Sequence, residues 1–145
     1  MPAAGATLAA GSPGVEPITQ GILEARAKGG GKPLETLSPA DARAVLNGAQ
    51  IGGKLPPADV SEKMITVDGD LIKLTRVQPV GAKGVLRAVV FFHGGGGILG
   101  DFLTHQLFVR DLEADSDAAA VVVNYTPAPG TRYPVAINEA YAATQ

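Results

Sequence analysis

The sequence predicts an α/β fold in which helices flank a sheet. Three observations predict it. The short runs 88–92 (AVVFF) and 119–124 (AAVVVN) are continuous and mostly apolar, the pattern of strands buried on both faces. The residues between them carry a helical pattern, so 88–124 reads as a strand–loop–helix–strand unit, the building block of α/β folds. Upstream, Asp68-Gly69 joins two strand-like segments, 64–67 and 71–77, and this dipeptide is the strongest short hairpin signal.

Taken in chain order, residues 1–14 read as a flexible tail rich in Ala, Gly and Pro, with no large apolar side chain except Leu8. A helix is expected over 17–28: Ile18, Ile22 and Ala25 recur at helical spacing beside Leu23, Pro17 suits the first turn, and Gly29-Gly30-Gly31 stops it. A second helix follows Ser38, which suits the N-cap, with Pro39 at the first helical position and Asp41 at the third. Ala42, Val45, Leu46 and Ala49 line one face of it, and Gly52-Gly53 ends it. Residues 79–84 read as a loop. In the helix over 101–115, Leu103, Leu107, Phe108 and Leu112 fall on one side, and Phe91 and Phe92 before it read as core. Pro127 and Pro129 make a turn, and Pro134 opens a last helix bearing Val135, Ile137, Ala140 and Tyr141. The pattern suggests a tail over 1–14, a helical segment over 15–60 and a sheet-bearing part over 61–145 that continues beyond the last residue.

Composition narrows the function. The chain has 145 residues, 12 basic and 14 acidic side chains and a formal net charge of −2, without the basic excess of a nucleic-acid or acidic-membrane binder. Zero cysteines exclude disulfides, thiolate metal sites and a Cys nucleophile, and they fit a reducing compartment. No charged n-region precedes the Ala-rich start, and no apolar run is long enough to span a bilayer, so a cytoplasmic location is expected. His93 and His105 have no third ligand at sensible spacing, so no metal is expected, and His105 reads as a helix-surface residue. Asp111, Glu113, Asp115 and Asp117 read as a solvated face and loop without the spacing of a calcium site.

The informative segment is FFHGGGGILGD, residues 91–101. Successive glycines after a strand leave backbone N–H groups uncovered, and such groups can converge on a negative charge. That charge is either a phosphate or the oxyanion of an attacked ester carbonyl. Gly95, Gly97 and Gly100 satisfy the G-x-G-x-x-G of a dinucleotide site, but Asn124 stands near where the ribose-binding acid belongs. A P-loop is excluded, because no Gly-Lys-Ser/Thr follows. His93 directly before the glycines favours the oxyanion reading, since an HGGG-type motif supplies oxyanion-hole donors in lipases and esterases.

The stretches FFHGGGGILGDFLTHQLFVRDL and VVVNYTPAPGTRYPVAINEAYAA resemble the hormone-sensitive-lipase-like (HGGG, family IV) esterases, over about residues 88–145. The segments 17–50 and 62–78 are similar to that family's N-terminal cap helices and opening hairpin. The resemblance implies the N-terminal part of an α/β-hydrolase fold: a mixed, mostly parallel sheet with flanking helices, preceded by helical cap segments. It implies Gly94 and Gly95 as oxyanion-hole donors, with His93, Gly96, Asp101 and Tyr125 supporting the loop. It also implies hydrolysis of esters with small or medium acyl chains, without cofactor or metal, and a homodimer is compatible with it. Gly97 stands where the family usually has an aromatic residue, which alters the wall of the substrate pocket and loosens the loop; Ile98 and Leu99 would line that pocket with it. Ile18, Ile22, Leu23 and Leu46 either wall the acyl pocket or serve ordinary helix packing; Ile22 is the one taken as a pocket residue. The family's Asp-Tyr-Arg-Leu-Ala-Pro run reads NYTPAP here, losing a charge pair.

None of Ser12, Ser38, Ser61 and Ser116 stands in G-x-S-x-G, and the family's Ser, Asp/Glu and His follow in chain order after the segment matched here. The expectation is an oxyanion loop whose triad lies on the C-terminal remainder of the enzyme, so that this chain alone is inactive. Two alternatives predict other behaviour: a non-catalytic hydrolase-like binding protein, as in the plant gibberellin receptors, and the dinucleotide-binding oxidoreductase.

Overall fold

The computed structural model describes residues 14–49 and 53–145. The expected tail, apart from Gly14, and the stop signal at Gly52 lie outside the described residues. The chain divides into two compact units, one ending at Ser38 and one running from Pro39 to Gln145.

The first unit carries helix α1, Pro17–Lys28, and a single 3₁₀ turn, Leu34–Thr36. Pro17 opens the helix and Gly29 closes it, as the sequence indicates. Its cap is Glu16, whose carboxylate accepts from the Thr19 and Ile18 N–H groups at 3.1 and 3.0 Å. Those two bonds, Thr19 first, satisfy orphan donors of the first turn and hold the Glu16 carboxyl below its ordinary value.

The second unit begins with helix α2, Pro39–Ala49, in which Ala42 is buried and Leu46 half-buried while Val45 faces out. Two strands follow, β1 (Asp59–Val67) and β2 (Asp70–Gln78). Asp68 and Gly69 both have positive φ, 52° and 95°, and Val67 pairs with Asp70, giving a two-residue turn whose twist matches the flanking strands. Strand β3, Ala88–Phe92, leads through the glycine loop into α3, Phe102–Ser116. Strand β4, Ala119–Asn124, returns parallel to β3, and helix α4, Val135–Ala142, ends the described chain.

The sheet order is β1-β2-β4-β3: β1 and β2 antiparallel, β2 and β4 antiparallel, β3 and β4 parallel. The most buried strand is therefore β4, whose Ala119, Ala120, Val122 and Val123 lie at 4% exposure or less. Val77, Val109, Ala120 and Val122 form the core between the sheet and α3, with Ala58, Phe91 and Phe102 packed against them. These small and β-branched side chains let α3 lie close to the sheet.

Three expectations are corrected. Among the described residues strand β3 is not buried on both faces: it stands at the end of the strand order, and Ala88, Val89 and Phe92 are exposed, leaving Phe91 alone of the two phenylalanines against the core. On α3, Leu103, Leu107 and Phe108 point outward at 57%, 40% and 56% exposure, while Thr104, Val109 and Glu113 face in. The Ala- and Val-rich sheet receives Val109 of α3, a small β-branched side chain, and leaves the larger Leu and Phe outside. Glu113 consequently is not part of a solvated acidic face; it is 2% exposed, and its Oε2 has no partner among the described residues. Burial, aided by Asp117 and opposed by Arg110, pushes its carboxyl above the ordinary value.

Candidate active site

The parallel strand β3 delivers the chain into the loop at His93. The His93 ring is buried and stacks on Tyr125, with ring centroids 4.2 Å apart and planes inclined by 13°. Tyr125 follows β4, the strand beside β3, so the sheet register places the two rings together. The Tyr125 hydroxyl donates to the His93 carbonyl at 2.7 Å, and burial raises its own pKa. His93 Nδ1 lies 3.0 Å from the Gly94 carbonyl. A carbonyl only accepts, so this bond assigns the proton to Nδ1. Burial pushes the His93 pKa down against the opposing pull of that bond, keeping the ring neutral near pH 7. His93 thus braces the loop from beneath. His105 stands behind it, half-buried, its ring 5.7 Å from both His93 and Phe91, and its Nδ1 lies 2.9 Å from Thr104 Oγ1 and 3.2 Å from the Asp101 carbonyl. That position corrects the expected helix-surface role.

Beyond His93 the backbone turns back on itself. The Ile98 and Leu99 N–H groups both donate to the Gly95 carbonyl, at 3.2 and 2.9 Å. Gly95 has φ 123°, and a Cβ there would collide with the Leu99 carbonyl, so only glycine fits. Gly100, with φ 92°, is equally constrained, since a Cβ would strike the Gly94 carbonyl and lie 2.7 Å from His93 Nδ1. A Cβ at Gly94, Gly96 or Gly97 would meet nothing within 4 Å. The loop therefore rests on Gly95 and Gly100 and opens outward at the other three. Among the described residues, the N–H groups of Gly94, Gly95 and Gly96 donate to no acceptor, and all three glycines are exposed.

The far side of the loop is held by other elements. Asp101 caps α3: its Oδ1 accepts from the Thr104 N–H at 2.9 Å, and Thr104 Oγ1 accepts in return from the Asp101 N–H at 2.9 Å. Asn124 Oδ1 accepts from the Phe102 N–H at 3.0 Å, and its Nδ2 reaches the Lys73 carbonyl and Thr75 Oγ1 at 3.2 and 3.1 Å. Asn124, at the end of β4, is thus committed to joining α3 to β2 rather than to a ribose. The Ala128 N–H donates to the Gly97 carbonyl at 2.8 Å. The turn carrying Ala128 is fastened in its own right, because buried Glu139 on α4 accepts from both the Thr126 N–H and Thr126 Oγ1, at 2.6 and 2.8 Å. Arg43 on α2 donates from Nε to the Ile98 carbonyl and from Nη2 to the Ala128 carbonyl, each at 2.8 Å.

The structure gathers His93, Gly94, Gly95, Gly96, Gly97, Ile98, Leu99, Asp101 and Tyr125 around one loop. Ile22 is 63% exposed on α1 and belongs to the other unit. Sequence reasoning missed Arg43, His105, Thr104 and Glu139. Thr104 was detectable as the third residue after a capping Asp; the others bond across 13 to 85 residues or through ring packing, which no local pattern signals.

A strand, a glycine turn with unused N–H groups and a capped crossover helix, all at the carboxyl end of the parallel pair, define the class. Residues 89–145 match the family described as the alpha/beta hydrolase fold. The chain carries an N-terminal portion of that fold and is similar to esterases, in line with its resemblance to the hormone-sensitive-lipase-like family. A thermostable esterase from Pseudomonas putida superposes with a TM-score of 0.88 at 57% identity, over 94% of this chain and 43% of that one. Esterase LipI of Mycobacterium tuberculosis is 46% identical over 57 residues, 39% of this chain and 18% of that protein. A putative alpha/beta hydrolase of Acanthamoeba polyphaga mimivirus is 30% identical over 112 residues, 77% of this chain and 32% of its own length. The chain thus spans less than half the length of the relatives it matches.

Proposed function

We propose that this chain contributes the oxyanion-hole loop of a serine carboxylesterase. One observation carries the reading: Gly94 and Gly95 present adjacent, unused backbone N–H groups on a loop fixed from below by His93 and Tyr125. In ester hydrolysis a serine oxygen attacks the carbonyl carbon, and the carbonyl oxygen takes up the negative charge. Preorganised N–H donors hold that charge without reorganising at the moment of reaction, and one donor is worth about 2.7–4 kcal/mol. Collapse of the intermediate expels the alcohol and leaves an acyl-enzyme, which water then hydrolyses.

The nucleophile, base and orienting acid come, in this reading, from residues that these 145 do not include, and the residue after the serine supplies a third N–H. The fragment alone is therefore inactive. The segment 15–60 acts as the cap, the acyl chain is small or medium, and Gly97, Ile98 and Leu99 line its pocket. The absence of cysteine supports a reducing, cytoplasmic setting. Among the described residues no helix is long and apolar enough to cross a membrane.

The test is hydrolysis of p-nitrophenyl acetate and butyrate by the intact protein, before and after a phosphonate that esterifies nucleophilic serines. Turnover abolished by the phosphonate supports the reading. A folded intact protein that hydrolyses neither ester, or whose turnover survives the phosphonate, overturns it.

A further inference from the structure

The geometry points to Arg43 as a positioning residue that holds the glycine loop in its donor conformation, an inference that rests on the oxyanion reading above. Four consecutive glycines have more backbone freedom to lose than any other tetrapeptide, and Gly97 leaves the loop without an aromatic anchor. Something must compensate on the outer side, where Cβ positions find open space. Arg43 does so by bridging two backbone segments. Its Nε–H reaches the Ile98 carbonyl and its Nη2–H the Ala128 carbonyl, each at 2.8 Å, while the Ala128 N–H closes the ring onto the Gly97 carbonyl at 2.8 Å. The loop at 97–98 and the turn at 128 are thus locked to each other and to helix α2 by a single planar fork.

Charge-assisted bonds of this kind are stronger than neutral ones, and the fork fixes orientation as well as distance. An ammonium on a flexible stem does not reproduce two divergent N–H vectors. Ile98 and Leu99 in turn donate to the Gly95 carbonyl, so a shift at Ile98 moves the Gly95–Gly96 peptide unit and, through the Gly95 Cα, the neighbouring unit that presents the Gly95 N–H. Displacing such donors affects the transition state more than substrate binding, because the charge they hold develops only on attack.

The experiment compares Arg43→Ala and Arg43→Lys with the parent in the intact protein. It reads kcat and KM on p-nitrophenyl butyrate, and amide hydrogen exchange at Leu99 and Ala128. Both variants are expected to lose roughly 10- to 100-fold in kcat with KM within about threefold. Exchange at Ala128 accelerates, and methylguanidinium restores part of the Arg43→Ala turnover without affecting the parent. A folded Arg43→Lys protein with parental kcat and parental exchange overturns the inference. So does a lower melting temperature with unchanged kcat, which marks a purely structural role. If Arg43→Ala does not fold, the charge-preserving Arg43→Lys carries the comparison. If the parent hydrolyses no ester yet exchange at Ala128 still rises in the variants, the clamp stands and the oxyanion reading fails.

Discussion

Gly95→Ala is the substitution that bears most directly on how the loop is built. An added Cβ would collide with the Leu99 carbonyl oxygen and lie 2.6 Å from its carbon and 3.2 Å from Leu99 Cα. Those atoms are backbone, held by the Ile98 and Leu99 N–H bonds to the Gly95 carbonyl, so they cannot move aside without opening the turn. At φ 123° the new side chain also sits outside any conformation favourable to an L residue, a strain of order 1–3 kcal/mol. The loop relieves this by rotating, which takes the Gly95 N–H out of the place proposed for the oxyanion hole. Loss of one donor corresponds to about 10²–10³ in kcat. The control is Gly94→Ala, where a Cβ meets nothing within 4 Å, so its unfolding free energy stays within about 0.5 kcal/mol of the parent. Turnover of p-nitrophenyl acetate and denaturant unfolding of the intact proteins make the measurement. A Gly95→Ala protein with parental turnover and stability refutes the reasoning.

Other perturbations follow from single contacts. Tyr125→Phe removes the hydroxyl that donates to the His93 carbonyl and should lower stability by about 1–2 kcal/mol in urea unfolding, with a loss of turnover; parental values for both would contradict the bracing role. Asp101→Ala removes the α3 cap and should cost about 0.5–2 kcal/mol, which Asp101→Asn largely recovers. For Glu113, the raised carboxyl pKa means that the folded state holds the proton more tightly than the unfolded one. The stabilising contribution is present below the ordinary carboxylate value and is lost as pH rises through the folded value. Glu113→Gln should therefore raise the melting temperature at pH 7, with a gain that shrinks toward pH 4; a gain independent of pH would show that burial of the charge is not the cause. The isolated 145-residue chain, which exposes Val89, Phe92, Leu103 and Phe108, should bind a hydrophobic dye. A dye-silent monomer with a sharp melt would contradict this.

Most of the architecture was readable because it is written in local chemistry. The Asp68-Gly69 turn, the bounds of β3 and β4 and the Pro17 and Gly29 limits of α1 each follow from residues within a few positions of one another. What was not readable depends on who sits opposite. The pattern AVVFF specifies a strand but not its place at an edge, so the exposure of Phe92 followed only from the strand order. On α3, Leu103, Leu107 and Phe108 suggested the wrong inner face, because the helix packs through Val109 on an Ala- and Val-rich sheet that accepts small side chains. The glycine loop was legible as a place where N–H groups gather. The devices that hold it, Arg43 across 55 and 85 residues and the His93–Tyr125 stack across 32, belong to tertiary structure. Glu139, bonded to Thr126, likewise shows how the turn is fastened where the family's usual arginine is missing.

The central claim is that Gly94 and Gly95 hold the oxyanion of an ester under attack. The most direct measurement is the amide spectrum of the intact, isotopically labelled protein before and after a p-nitrophenyl phosphonate forms its tetrahedral adduct, whose anionic oxygen occupies the oxyanion's place. The Gly94 and Gly95 amide protons are expected to move downfield and exchange more slowly in the adduct, while Gly29 and Gly69, far from the loop in sequence and placed in turns, do not. An adduct that forms with both loop amides unmoved would contradict it.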